Sequence, residues 1–136
     1  MATLLAHITV KPGKERAFEE IARSMYDATH ANEHGVRRYE YWRGAAERTY
    51  YTLESFDEYV GFLRHQTSEH HESAGPGFGD VIESLRLEWV DAMEGASPLT
   101  PTVAQEPPAD ASELMRQYAV RHAVQIAPWW GPLRGA

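Results

Sequence analysis

Cysteine is absent from the 136 residues of the chain. Without thiols the protein forms no disulfide, and both thiolate catalysis and cysteine-ligated zinc sites are excluded. Basic residues are also outnumbered, because 13 Lys and Arg face 20 Asp and Glu and leave a net charge of −7. This charge argues against broad contact with nucleic-acid phosphates, so we expect no nucleic-acid partner.

Long apolar runs are missing as well. The opening stretch MATLLAHITVKPGK has neither the basic region nor the apolar core of a signal peptide. No stretch approaches the roughly 18 apolar residues of a membrane span. We therefore expect a cytoplasmic protein with no membrane partner. The length suits one domain with a packed core.

Hydrophobic periodicity predicts four strands and two helices in the first 95 residues. The strands, where apolar residues alternate, are predicted over 3–10, 36–43, 48–56 and 81–93. The helices are predicted from Lys14 to about Ala31 and over 58–66, the second with Asp57 as its N-cap. The second helix weakens through TSEHHESAG, and the following GPGFGD is predicted to be a loop because glycine and proline interrupt helices.

The order β-α-β-β-α-β is that of an α+β, ferredoxin-like fold, with two helices on one face of a four-stranded antiparallel sheet. The first strand has a strongly apolar face that includes Leu4 and a mixed face that includes Leu5 and His7. One layer of helices covers only one face. A second sheet from a partner subunit would cover the other, so we expect a homodimer with His7 in its interface.

Composition shifts after Gly95, and we place a boundary there between a ferredoxin-like domain, 1–95, and a C-terminal extension, 96–136. The segment SPLTPTVAQEPPAD predicts an extended linker, and SELMRQYAVRHAV predicts a short helix capped by Asp110 or Ser112. The tail ends with the paired indoles of Trp129 and Trp130. We expect it to dock on its own helices or on the partner, because large apolar side chains are seldom left in water.

Two motifs surround the first helix. One is VKPGKERAFEE, which follows the first strand. The other is ANEHGVRRYEY, in which Glu33, Gly35 and Tyr39 have the spacing of a Glu-Pro-Gly-x-x-x-Tyr segment and His34 takes the place of the proline. A third motif, YYTLESFDEYVGFLRHQTSEH, follows further along the chain.

That third motif places a glutamate, Glu54, at a strand end, an aromatic residue, Phe56, two residues later, and His65 and His70 beyond them. In this order and spacing the three motifs resemble the antibiotic biosynthesis monooxygenase (ABM) family over roughly residues 3 to 92. The chain departs from the family pattern at Phe56, where tryptophan is more usual. The extension from about Ser97 lies outside the resemblance.

The resemblance implies a dimeric α+β barrel of ferredoxin-like units, each with a pocket between its sheet and its helices. Many members are similar to cofactor-independent monooxygenases that oxidise anthrone or hydroquinone rings with O2, so the implied partners are a small aromatic substrate and O2, without a cofactor. Relatives of the same fold include isomerases, polyketide cyclases and haem-degrading enzymes, so the fold alone leaves the reaction open. Haem is disfavoured because Ala6 occupies the place of the asparagine that the haem-degrading relatives carry.

The stretch RHQTSEHHES, residues 64–73, raises the question of which histidines act together. On a regular helix His65 and His70 lie about 500° apart and do not share a face. A helix that ended near Thr67 or Ser68 would let His70 turn back. In the functional interpretation one of these two histidines takes a proton from the substrate. In the alternative, His65 is structural and His71 is solvated.

No metal is expected from this stretch, because it carries no HExxH or comparable signature. Aromatic residues are the candidates for substrate contact, although core filling would use them equally well, and Glu54 is a candidate for orienting the site. The aromatic candidates are Tyr39, Trp42, Tyr51, Phe56, Phe78, Trp129 and Trp130, the last three as a lid over the pocket. Three functions stay open: a monooxygenase, a polyketide cyclase or isomerase using the same base, and a non-catalytic dimer that binds small molecules.

Overall fold

The computed structural model describes residues 1–134, so the last two residues of the predicted extension lie outside it. Four antiparallel strands form one sheet with the spatial order β2-β3-β1-β4, and helices pack on one face of it. The strands are β1 (Ala2–Val10), β2 (Val36–Arg43), β3 (Thr49–Phe56) and β4 (Ile82–Trp89). The helices are α1 (Glu15–Asn32), α2 (Tyr59–Gln66), α3 (Glu69–Val81), α4 (Glu113–Arg121) and a final 3-10 helix, Pro128–Leu133. The predicted ferredoxin-like α+β fold is confirmed.

Alternation along β1 sets which face carries the core. Leu4, Ala6, Ile8 and Val10 are buried beneath the helices, whereas Leu5, His7 and Thr9 lie half-buried on the opposite face. The apolar stripe of α1 meets the helix-side face through its buried residues, which are Phe18, Ala22 and Met25. One helical layer thus covers one face of the sheet.

The predicted loop GPGFGD is wrong, because α3 runs through it with Pro76 inside the helix. Phe78 packs against Phe18 of α1, with ring centroids 5.9 Å apart, and Val81 is buried in the same cluster. A Cβ at Gly77 would lie 3.2 Å from the side chain of Ile21, so this glycine allows α1 and α3 to approach closely. Burial of two apolar side chains outweighs the low helix propensity of the segment.

Two boundaries also differ from the prediction. β4 starts at Ile82, because Val81 still belongs to α3. It ends at Trp89, before the predicted end at residue 93. α2 starts at Tyr59 with Glu58 at its N-cap position, and the expected cap, Asp57, instead directs its carboxylate to Arg37.

The C-terminal extension packs against the first 95 residues. Its helix is capped as predicted by Ser112, whose Oγ accepts a hydrogen bond from the N–H of Met115 at 3.1 Å. α4 lies on α2, where the hydroxyl of Tyr59 donates to the carbonyl of His122 at 3.0 Å. Among the described residues no helix is long and apolar enough to cross a membrane.

Arg134 binds the end of the described chain to Asp91 and Thr102. Its guanidinium donates to both carboxylate oxygens of Asp91, at 2.8 and 2.7 Å, and to the carbonyl of Thr102 at 2.8 Å. The same group lies 5.6 Å from the ring of Trp130. These contacts hold the tail beside β4.

Thr102 of the extension completes the end of β1, and its loss tests that contact. Its hydroxyl accepts from the N–H of Thr3 at 3.1 Å and donates to the carbonyl of Val90 at 2.7 Å, with the whole residue buried. We expect Thr102→Val to lower the free energy of unfolding by about 2 kcal/mol, because it leaves buried backbone groups unpaired. Urea unfolding measures this loss, with the exposed Thr100→Val as matched control. Equal stability of both variants would contradict the role of the extension.

Candidate active site

The two predicted histidines converge on one carboxylate oxygen. The helix is interrupted at Thr67 and Ser68, as anticipated, and α3 starts at Glu69 with Ser68 as its N-cap. His65 Nδ1 then lies 2.7 Å and His70 Nε2 2.6 Å from Oε1 of Glu33. The break therefore brings together two side chains that a continuous helix would separate.

The end of α1 positions Glu33. It is the C-cap residue, with extended backbone angles, and its N–H donates to the carbonyl of Thr29 at 3.0 Å. Gly35 then turns the chain toward β2 with a φ of +79°, a conformation that favours glycine. The carbonyl of Gly35 accepts the N–H of Asp57 at 2.8 Å, which ties this turn to the start of α2.

Hydrogen bonding fixes the protonation of the cluster. Burial alone would raise the pKa of Glu33, but the hydrogen bonds and charges of His65 and His70 outweigh it and hold that pKa below its ordinary value. An ionised carboxylate only accepts hydrogen bonds, so each histidine directs an N–H toward Glu33. In the neutral rings the lone pair then lies on His65 Nε2 and on His70 Nδ1.

The two histidines differ in their access to solvent. His65 is fully buried. The His70 side chain is 18% exposed and lies in the wall of a cavity of about 680 Å³. The lining of this cavity is mostly polar and includes Asn32, Glu33, His34, Arg64, Ser68 and Glu69. Of the two candidate bases, His70 is the one that a molecule in this cavity would meet.

Glu54 lies buried on the helix-side face of β3. Burial raises its pKa to about 7, the charge of His65 opposes that shift, and the charge of Glu33 adds to it. Its Oε2 and the Nε2 of His65 are both buried without a hydrogen-bond partner among the described residues. Both side chains adjoin Tyr39, since Glu54 is its neighbour across the sheet and the His65 ring lies 4.9 Å from its ring. Near neutral pH the Glu54 carboxyl therefore exchanges between its protonated and ionised forms.

His71 is partly buried against His65, with ring centroids 5.0 Å apart, rather than solvated as the alternative interpretation assumed. Burial, together with the charges of the two neighbouring histidines, lowers its pKa to about 4. His71 consequently stays neutral at physiological pH and packs behind the Glu33 cluster.

The aromatic candidates do not form one pocket. Tyr39 and Phe56 are buried against His65, and the hydroxyl of Tyr39 hydrogen-bonds that of Tyr41 at 3.0 Å. Trp42 and Tyr51 belong to the opposite face of the sheet, away from the histidines, where Trp42 is 59% exposed. Strand alternation accounts for this separation.

The three lid candidates lie away from the histidines within the described chain, so a lid over the pocket stays a prediction. Phe78 is half-buried and packs against Phe18 of the core. Trp129 and Trp130 line a cavity with Arg86 and Trp89 on the β4 side, where Arg134 holds the tail.

A second cavity, of about 530 Å³, lies between α1 and β2. Its aromatic lining comprises Phe18, Tyr26, Tyr41, Trp42 and Tyr50. At its mouth Arg43 donates two hydrogen bonds to Glu19, at 2.6 and 2.9 Å, and these lower the pKa of Glu19 to about 2. The aromatic cavity and the His70 cavity share no lining residue.

Glu33 is the residue whose role sequence reasoning missed. It appears in the motif ANEHGVRRYEY, but its partner His65 is 32 positions away. The spacing of Glu33, Gly35 and Tyr39 was the available signal, and it does not reveal which side chains a carboxylate will meet.

Glu54→Gln should reduce the dependence of stability on pH. Because the pKa of Glu54 is about 7 in the folded protein against 4.5 for a free glutamate, the folded state keeps a proton that the unfolded chain releases. The free energy of unfolding contributed by Glu54 therefore falls as pH rises from 4.5 to about 7 and then levels off. We expect Glu54→Gln to remove this pH-dependent loss, which amounts to up to about 3 kcal/mol of the free energy of unfolding.

Urea unfolding at about pH 5 and pH 8 measures this effect as the difference between variant and wild type. That difference isolates Glu54, because His71, with its lowered pKa, has the opposite dependence in both proteins. The exposed Glu47→Gln is the matched control. If the two variants show the same pH dependence, Glu54 does not hold the proton.

Comparison with known proteins agrees with this fold. A protein from Caulobacter crescentus, described as a candidate antibiotic biosynthesis monooxygenase, is 25% identical, with a TM-score of 0.65 over 68% of this chain and 90% of that one. A Pseudomonas aeruginosa protein is 24% identical, with a TM-score of 0.60 over 65% and 90% of the two chains. A Mycobacterium tuberculosis protein is 18% identical, with a TM-score of 0.64 over 71% and 98%.

No functionally curated protein matches the chain. Residues 1–75, more than half of the sequence, match the family model described as antibiotic biosynthesis monooxygenase. This match includes Glu33, Glu54 and both converging histidines. The chain belongs to the antibiotic biosynthesis monooxygenase family.

Proposed function

We propose that the protein is a cofactor-independent monooxygenase that oxidises a polycyclic aromatic or hydroquinone-type substrate with O2. Membership of the family supports the reaction class. The observation that carries the assignment of residues is the convergence of His65 and His70 on Glu33, with His70 in the wall of a cavity of about 680 Å³. No external reductant is needed for the reaction proposed below.

His70 is the proposed catalytic base. Glu33 accepts the Nε2–H of His70 and so leaves the lone pair on Nδ1, the nitrogen that would take a proton from the substrate. The same carboxylate stabilises the imidazolium that forms. His65, which is buried, acts as a positioning residue because its hydrogen bond holds Glu33 in place.

The chemistry balances for an anthrone-type CH2 group. His70 takes one proton, and the resulting carbanion gives an electron to O2, after which the two radicals join in a carbon–oxygen bond. The peroxide takes the proton back from the imidazolium and eliminates water, which leaves a carbonyl. The carbon loses four electrons and O2 gains four, with one oxygen atom in the product and the other in water.

A cyclase or isomerase is the second candidate, and Glu54 favours it. A carboxyl with a pKa of about 7 beside His65 is a proton donor near neutrality. A base and an acid in one cluster suit the enolisation and reprotonation of a carbonyl compound, which consume no oxygen. Oxygen uptake therefore separates the two candidates.

We also propose that the protein is a homodimer in the cytoplasm, joined through the uncovered face of the sheet. Leu5, Leu53 and Tyr51 are half-buried on this face, and Trp42 is largely exposed at its edge. A second copy of this face would remove these side chains from water.

Leu53→Arg tests the proposed dimer. A charge at this half-buried position would lose its hydration in the dimer, with only the carboxylate of its cross-strand neighbour Glu40 to pair with, so we expect this variant to be monomeric. Sedimentation velocity on wild type and variant measures the state, and Val120→Arg, at an 83% exposed position on α4, is the matched control. A monomeric wild type at micromolar concentration would refute the dimer.

His70→Gln tests the proposed base. We expect turnover of an anthrone or hydroquinone substrate to fall by about 100- to 10,000-fold, the usual contribution of a general base. An oxygen electrode measures the uptake, and His71→Gln, one position along, is the matched control that keeps activity. Full activity in both His65→Ala and His70→Ala would eliminate the assignment, and product formation without oxygen uptake would favour the isomerase.

A further inference from the structure

Three side chains that commonly bind metals meet at the α2–α3 break. One ligand-type atom each from Glu33, His65 and His70 lies within 4.8 Å of the others. The sequence argued against a metal because it carries no HExxH or comparable signature. The break between the two helices brings the ligands together without such a signature, since both imidazoles point at the same carboxylate oxygen.

We propose that Glu33, His65 and His70 form a binding site for one divalent transition-metal ion of the Zn²⁺ class. Two imidazole nitrogens and one carboxylate oxygen, without thiolate, are donors that suit Zn²⁺, Co²⁺ and Ni²⁺. Mg²⁺ and Ca²⁺ prefer sets made of oxygen atoms alone and are poorly served here.

The geometry requires only a small expansion. The two nitrogens now lie 2.7 and 2.6 Å from the carboxylate oxygen, which are hydrogen-bond distances. Around an ion with ligand bonds of about 2.0–2.2 Å, tetrahedral ligand atoms lie about 3.4 Å apart. Each contact must therefore lengthen by about 0.7 Å to admit the ion.

The other ring nitrogen of His65, Nε2, gives a second observation that does not depend on the distances to Glu33. A histidine that binds a metal through Nδ1 carries its proton on Nε2 and usually donates it to a carboxylate or a carbonyl. Among the described residues, His65 Nε2 and Oε2 of Glu54 are both buried without a hydrogen-bond partner, and both residues adjoin Tyr39. Metal binding through Nδ1 would make the unpaired Nε2 a donor.

The site would keep an open position. Three protein ligands leave a fourth coordination position for water or for an oxygen of a bound molecule, which is the pattern of zinc sites that are not purely structural. His70 and Glu33 line the cavity of about 680 Å³, so this position faces space that a small molecule can enter.

A bound ion would compete with the proposed base. The ion takes the lone pair of His70 Nε2, so the proton of that ring resides on Nδ1 and the nitrogen facing the substrate has no lone pair. Zn²⁺ should therefore inhibit the monooxygenase reaction. This inhibition rests on the proposed function, whereas the binding itself does not.

Metal-free wild-type protein, titrated with Zn²⁺ against a chromogenic chelator, tests the binding without any assay of activity. We expect one ion per chain and no competition from Mg²⁺. Glu33→Gln, His65→Gln and His70→Gln should each weaken binding by at least about 100-fold, the upper end of the loss seen when only an outer partner of a ligand is removed. His7→Gln on the opposite face of the sheet and His71→Gln beside the cluster are matched controls.

Circular dichroism checks that each variant folds. The visible spectrum of wild type loaded with Co²⁺ gives a readout without substitutions, because tetrahedral coordination absorbs strongly. Absence of stoichiometric Zn²⁺ binding by wild type, or an equal loss in the His71→Gln control, overturns the site. Stoichiometric binding without any oxygenase activity supports the site and rejects the proposed function. Oxygenase activity without Zn²⁺ binding rejects the site and supports the proposed function.

Discussion

One carboxylate oxygen that accepts hydrogen bonds from two imidazoles organises this half of the molecule. Through Oε1 of Glu33 the end of α1 is bound to both α2 and α3. Each hydrogen bond to a charged group contributes about 1.5–3 kcal/mol, and an imidazole left unpaired by its loss would be costly inside the protein. The break between α2 and α3 is thus a requirement of the cluster, because a continuous helix could not bring both rings to the same atom.

The order of strands and helices could be predicted from the sequence because each element buries one face. β2 was predicted at its observed bounds, and alternation on β1 correctly assigned its two faces. The segment GPGFGD was mispredicted because local propensity disfavours a helix there, whereas the contact of Phe78 with Phe18 favours it. That contact joins residues 60 positions apart and leaves no periodic signal in the sequence.

The candidate site was predictable only in part, for a similar reason. Motif spacing identified His65, His70 and Glu54 as candidates, but it gave Glu33 no role, since the carboxylate meets the histidines only after α1 packs against α3. The place of Trp129 and Trp130 beside β4 was not predictable for the same reason. Their position depends on the ion pair of Arg134 with Asp91, which the sequence does not indicate.

Charge explains why such a cluster suits a base. Glu33 supplies an ionised carboxylate, because its hydrogen bonds and the charges of His65 and His70 hold its pKa below the ordinary value. A proton taken from a substrate by His70 would form an imidazolium in contact with this carboxylate. In a medium of low dielectric constant that contact is favourable, because opposite charges attract more strongly there than in water. The substrate anion then remains in the cavity beside a positive ring, where it can react with oxygen.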